Sequence, residues 1–225
     1  MSERQRRTGR DERRRSFGQN FLADPALVRR FVDSLELEPG ELVVEVGAGT
    51  GALTRPIVAA GVRVWAIEPD PVWARHLRER LRTVGAGEGM RVIETDVRRL
   101  ALPHEPYRVV ANPPFGITTE LLALLLDRPR RGPVRADLVL QAEVARRHAS
   151  KPPVALRTAG WAPWWEFELG EAIGRNSFRP RPSVDAAVLI IRKRRPAILP
   201  ERLAPTFVNR LRDDWGRAAP TQRTP

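Results

Sequence analysis

From residue 42 onward, short apolar runs alternate with amphipathic stretches. "LVVEVG" (42–47) predicts a buried strand, followed by a glycine-rich loop and a helix over "ALTRPIVAAG" (52–61). "RVWAIE" (63–68), "MRVIETD" (90–96), "YRVVAN" (107–112) and "ADLVLQ" (136–141) read as four further strands. Helices are expected over "DPVWARHLRERL" (70–81), "TTELLALLLD" (118–127) and "EVARRHA" (143–149). Strands alternating with helices predict an α/β fold, a parallel sheet covered on both faces. Ahead of it, "DPALVRRFVDSL" (24–35) predicts a helix with Asp24 as cap and Pro25 in the first turn. Its apolar face is Leu27, Val28, Phe31, Val32 and Leu35. Later, "WWEFELGEAI" (164–173) and "AAVLIIRKR" (186–194) are joined by a proline-rich loop. They predict an antiparallel pair that closes a mostly parallel seven-stranded sheet. "ERLAPTFVNRLRDDWGR" (201–217) predicts one short helix. The expected organisation is a disordered basic arm (1–15), an α/β domain (16–195) and a small helical C-terminal lobe and tail (196–225).

Composition narrows the partners. The chain has 225 residues, 42% of them hydrophobic, enough for a real core. Its longest apolar cluster, "LLALLL" (121–126), is too short to cross a membrane, and the basic N-terminus has no apolar stretch behind it. A cytoplasmic protein with no membrane partner is expected. There is no cysteine, which removes disulfides, thiolate metal sites and a thiol nucleophile. Three scattered histidines make a zinc centre unexpected, so no metal is assigned. The net charge is +12, from 39 basic and 27 acidic residues. Lysine occurs only at Lys151 and Lys193, a preference for arginine that does not account for the surplus of bases. The surplus points to a polyanion, above all a nucleic acid. Seven arginines in residues 1–15 make that arm a candidate phosphate grip, as are "RPRRGPVR" (128–135) and "IRKRR" (191–195).

"EVGAGTG" (45–51) lies where the first strand turns into a helix. Its glycines, Gly47, Gly49 and Gly51, allow a close backbone approach to a ligand. The second strand ends in Glu68, 21 residues after Gly47, where an acid can accept both ribose hydroxyls. The loop lacks the dinucleotide spacing and the lysine of a phosphate loop. A nucleoside without phosphate, such as S-adenosylmethionine, suits it better. The third strand ends in Asp96, which is either an acceptor for the cofactor's adenine amine or a helix cap.

The fourth strand runs into "NPPF" (112–115). The exocyclic amine of adenine is a poor nucleophile, because its lone pair is delocalised into the ring. The Asn112 side-chain oxygen and the Pro113 carbonyl can take its two N–H bonds, and Pro114 restricts where that carbonyl points. Phe115 offers a face for the target base, worth about 1–3 kcal/mol. Held so, the amine reaches a near-attack geometry without a metal or a covalent enzyme intermediate. The absent cysteine argues against carbon-5 methylation of pyrimidines.

In this order, "SFGQNFL", "EVGAGTG", "AIEPD", "TDV", "NPPF", "LQAEVARR" and "FRPRPSVDAAV" resemble the rRNA adenine N6-methyltransferases over about residues 16–194. "QNFL" separates them from generic adenine and glutamine methylases that share only the Asn-Pro-Pro motif. The wording of "WAPWWEFELGEAIGRNSFRPRPSVDAAV" and the short C-terminal lobe resemble the actinomycete type of erythromycin-resistance (Erm) enzymes. The resemblance implies a Rossmann-like, S-adenosylmethionine-dependent methyltransferase, monomeric, acting on one adenine of 23S rRNA and conferring macrolide resistance. It implies cofactor contacts from Gln19, Asn20, Leu22, Gly47, Gly49, Glu68, Asp96, Val97 and Asn112. Asn112, Pro113 and Phe115 would carry the chemistry, with Phe115 on the target base and Phe178 either on the other face of that base or anchoring its loop in the core. Pro113 departs from the leucine or isoleucine more usual there, but the carbonyl is retained. The alternatives are a 16S rRNA dimethylase, a DNA adenine or protein glutamine methylase, and a non-catalytic RNA-binding factor on the same fold.

Overall fold

The computed structural model describes residues 20–83 and 89–215. The basic arm, Gln19 and the last ten residues lie outside the described residues. Two short strands, β1 (Phe21–Leu22) and β8 (Phe178–Arg179), pair with each other antiparallel. The other seven form one sheet: β2 (Leu42–Val46), β3 (Arg63–Ile67), β4 (Met90–Ile93), β5 (Arg108–Ala111), β6 (Arg135–Gln141), β7 (Trp165–Ile173) and β9 (Ala186–Lys193). Its order is β4-β3-β2-β5-β6-β9-β7. Five strands run parallel, and β9 is antiparallel to both β6 and β7. The late pair thus closes the sheet as a hairpin tucked inward, with the second strand between the first and the parallel set.

The helices are α1 (Pro25–Ser34), α2 (Thr54–Ala59), α3 (Pro71–Thr83), α4 (Thr118–Leu126), α5 (Ala142–Ala149), α6 (Leu156–Trp161) and α7 (Ala204–Trp215). The α1 start follows from its sequence. Asp24 is extended and its side chain accepts from the Ala26 and Leu27 amides, while Pro25 occupies the first position, where an N–H has no helical partner. The five apolar residues expected on its inner face are all buried.

Alternation along each strand divides the core in two. Val44, Val46, Val109, Ala111, Leu138 and Leu189 face one side, against α4, α6 and three tryptophans, Trp161, Trp164 and Trp165. Val43, Val64, Val110, Val139 and Val188 face the other, with α1, α2 and α3. Such two-sided burial makes the strands continuous apolar runs. The C-terminal helix has no core of its own. Phe207 packs edge-on to Trp164 at 6.1 Å between ring centres, and Leu199, Ala204 and Phe207 lie on the first core. Among the described residues, no helix is long and apolar enough to cross a membrane.

The chain winds outward from β2 through β3 to β4, then returns to place β5 on the other side of β2. At that reversal the loops leaving β2 and β5 diverge and open a crevice at the carboxyl ends of the strands, the usual ligand position in open α/β sheets.

Candidate active site

A cavity of about 280 Å³ occupies this crevice. Val46 and Gly47 come from the end of β2, Ile67 and Glu68 from β3, Asp96, Val97 and Arg98 from the segment after β4, and Asn112, Pro114 and Ile117 from the segment after β5. Asn20 and Phe21 close it from the N-terminal side.

The turn after β2 is built on left-handed glycines, with φ of +80° at Gly47 and +51° at Gly49. A Cβ at Gly47 would lie 3.3 Å from the Asn112 backbone oxygen, and one at Gly49 would lie 2.5 Å from the Phe21 ring. The turn is therefore in direct contact with both the Asn-Pro-Pro segment and the N-terminal segment. Phe21 is backed by Trp73 of α3, with ring centres 5.4 Å apart.

Glu68 is fully buried, and its two carboxylate oxygens accept from the Gly49 amide (2.8 Å) and the Asp70 amide (2.9 Å). It fastens the glycine turn to the start of α3, and each oxygen has capacity for more than one donor. Asp96 lies in the cavity wall and caps the turn Val97–Arg99 by accepting from the Arg98 amide. The Arg98 guanidinium also donates to it, Nε at 2.9 Å and Nη2 at 2.5 Å. These bonds hold the Asp96 carboxyl down at about 2, so it is an anion at any physiological pH.

Asn112 is half-buried, and its Nδ2 donates to the Asn20 backbone carbonyl at 2.9 Å. A carbonyl can only accept, so this bond determines which end of the amide is nitrogen. Oδ1 is left with no protein donor among the described residues. Pro113 is buried and Phe115 half-buried, the latter resting partly on the second core. Neither lines the cavity itself. Leu22, expected to face the cofactor, and Phe178, expected either on the target base or as a core anchor, pair with each other across β1–β8. Both are buried in the second core, Phe178 completely, so its ring offers no face to a ligand in this structure.

Phe21, Arg98 and Ile117 are cavity residues that sequence reasoning did not single out. Phe21 lies inside "QNFL", and Arg98 sits two residues beyond Asp96, the spacing at which a side chain folds back on its own cap. A further unassigned group is Glu45, buried on β2 behind the glycine turn. Burial, opposed in part by Thr54 and reinforced by Glu68, pushes its carboxyl up to about 7.

An open parallel sheet with a glycine turn at its switch point, an acid after each of the next two strands and a carboxamide after the fourth defines the class of Rossmann-like methyltransferases. The chain belongs to the ribosomal RNA adenine dimethylase family, which it matches over residues 10–209. It is 38% identical over 200 residues to the mycinamicin-resistance protein MyrB of Micromonospora griseorubida, covering 89% of this chain and 62% of that protein. It is 38% identical over 217 residues to an rRNA methyltransferase of Streptomyces thermotolerans, covering 92% of this chain and 68% of that one. The crystal structure of the 23S rRNA methyltransferase ErmE superposes with a TM-score of 0.79 at 29% identity, covering 89% of this chain and 81% of that one. The chain thus spans a little under two thirds of the length of MyrB.

The cofactor of this class is S-adenosylmethionine, and the cavity suits it. Two acids flank apolar walls from Val46, Ile67, Val97 and Ile117, and Arg98 in the wall is bound to Asp96.

Proposed function

We propose that the protein transfers a methyl group from S-adenosylmethionine to N6 of one adenine in 23S rRNA, in the cytoplasm and as a monomer, and so confers resistance to macrolide-type antibiotics. The observation that carries this reading is the Asn112 amide: its nitrogen donates to the Asn20 carbonyl, its oxygen has no protein donor among the described residues, and the residue lines the same cavity as Gly47.

S-adenosylmethionine, when bound, supplies an electrophilic methyl on a positively charged sulfur. Glu68 would hold the ribose hydroxyls, Asp96 the adenine amine, and Val97 the adenine plane, with Asn20, Gly47 and Gly49 shaping the pocket. On the substrate side, Asn112 Oδ1 and the Pro113 carbonyl accept the two N–H bonds of the target amine. Accepting both bonds orients the nitrogen lone pair and raises its electron density. That contribution grows as positive charge develops on nitrogen, so it favours the transition state over the ground state; as N6 gains the methyl, the pair of the broken carbon–sulfur bond stays with the sulfur and N6 gives up one proton to solvent. Phe115 stacks on the base, offsetting part of the few kcal/mol needed to unstack it from folded RNA. A methyl at N6 then blocks the contact that a macrolide makes with that base.

The test is methyl transfer from labelled cofactor to naked 23S rRNA and, in parallel, naked 16S rRNA. Label on adenine of 23S rRNA alone is expected. Label on 16S rRNA alone would replace this reading with a small-subunit dimethylase, and label on neither would overturn it.

A further inference from the structure

The two arginine-rich segments, one between α4 and β6 and one at the end of β9, are about sixty residues apart in the chain and meet in space. They line a cleft of about 180 Å³ whose walls include His104, Arg130, Arg131, Lys193 and Arg195. The cleft lies where β5 and β6 begin and β9 ends: Val134 donates to the Tyr107 carbonyl at 2.8 Å, and Lys193 to the Val134 carbonyl at 3.0 Å. That is the opposite edge of the sheet from Asn112. Five residue steps separate Tyr107 from Asn112, about 17 Å of strand.

The cleft is built rather than incidental. Buried Tyr107 donates its hydroxyl to the Arg131 carbonyl at 2.8 Å, which holds the turn that carries Arg130 and Arg131. The Lys193 ammonium lies 5.7 Å from the centre of the Trp165 ring. The nearby acids are already matched: Glu105 binds Arg63 at 2.6 Å, and Glu201 binds Arg130 at 3.2 Å. Among the described residues, Arg131, Lys193 and Arg195 have no acidic partner within ion-pair distance. Burial lowers the Lys193 pKa; Glu201 opposes the shift and Arg195 adds to it more weakly. A site that concentrates unpaired cations in a concave wall is matched by an anion from outside.

We propose that this cleft binds backbone phosphates of the RNA substrate, giving the protein a second grip on the far edge of the sheet from the target adenine. The inference rests on the RNA methyltransferase reading above. It adds that RNA long enough to reach around the domain is held at two places, and that a short fragment carrying only the target adenine is held at one.

The experiment uses the full chain and the double variant Arg131→Gln/Arg195→Gln, which replaces two exposed side chains, with Lys193→Gln as a separate variant. Affinity for a long 23S rRNA fragment is measured by filter binding between 50 and 200 mM salt. The double variant is expected to bind it at least ~10-fold more weakly and to lose about 1.5 from the slope of log affinity against log salt. Lys193→Gln should lose rather less than 1. Cofactor affinity by calorimetry and methylation of a minimal hairpin should match the wild type, which also shows that the variants fold. An unchanged salt slope in both variants, with wild-type protein binding the long RNA normally, makes the cleft a solvated basic face and overturns the proposal alone. Wild-type protein that neither binds nor methylates RNA overturns the methyltransferase reading and this inference with it. An equal loss on the short hairpin would show that the variants act on the domain as a whole, and would also refute a second grip.

Discussion

The carboxamide at position 112 is asked to do two things, and Asn112→Asp separates them. The carboxylate keeps an oxygen that can accept from the target amine. It loses the nitrogen that donates to the Asn20 carbonyl at 2.9 Å. Losing that hydrogen bond and setting a carboxylate against the Asn20 carbonyl costs about 1–3 kcal/mol. Two acceptors cannot share that distance, so the carboxylate turns away and takes the reactive oxygen with it. About 1–3 kcal/mol lost at the transition state lowers turnover roughly 5- to 160-fold. The assay is a single-turnover methylation at saturating cofactor and RNA, with cofactor affinity measured separately by calorimetry. A pH series adds a signature: once protonated, the introduced carboxyl regains a donor, so the variant should recover relative to wild type as pH falls toward the carboxyl range. Asn112→Ala, which removes both functions, should lose turnover while cofactor affinity stays within a few-fold. Wild-type turnover in Asn112→Asp would show that the bond to Asn20 positions nothing. A large affinity loss in Asn112→Ala would make Asn112 first a cofactor-binding residue.

Two further outcomes follow from the turn behind the cavity. Glu45 has a folded-state pKa of about 7 against an ordinary value of 4.5, so the folded state holds its proton more tightly than the unfolded chain. The stability it contributes is complete below pH 4.5 and is lost as pH rises to about 7, a change of about 3 kcal/mol. Urea unfolding of Glu45→Gln at pH 5 and pH 8 should therefore show the variant gaining on wild type by that order at the higher pH, and a pH-independent difference would refute the burial argument. Gly49→Ala places a Cβ 2.5 Å from the Phe21 ring at a φ of +51°. The left-handed backbone alone costs about 1–2 kcal/mol, and the ring must leave the cavity wall. Calorimetry should find cofactor affinity at least ~10-fold weaker, and unchanged affinity would remove Phe21 from the site.

What the sequence made legible was whatever a local rule controls. The α1 cap and face follow from Asp24, Pro25 and a helical period. The crevice follows from strand–helix alternation, which puts Gly47, Glu68, Asp96 and Asn112 at one sheet edge. What depended on distant pairing was not legible. Leu22 and Phe178 are 156 residues apart, in strands of two residues each, too short for any periodicity to show that they bury one another. The six-residue α6, with Gly160 near its end, carries no cap and no repeat. Glu45 stands in a run whose five residues are all buried, so its sequence position held no sign of an acid kept near neutrality. The cleft of Arg131, Lys193 and Arg195 shows the same limit: two basic segments were visible, and only the sheet order brings them together.

The most direct measurement is the identity of the methylated nucleoside. Naked 23S rRNA is incubated with the protein and S-adenosylmethionine, digested to nucleosides and fragments, and read by mass spectrometry. The account predicts N6-methylated adenosine at one position, absent when Asn112 is replaced by alanine. Methyl groups on a ring carbon or a ribose, or an Asn112→Ala protein as active as wild type, would contradict it.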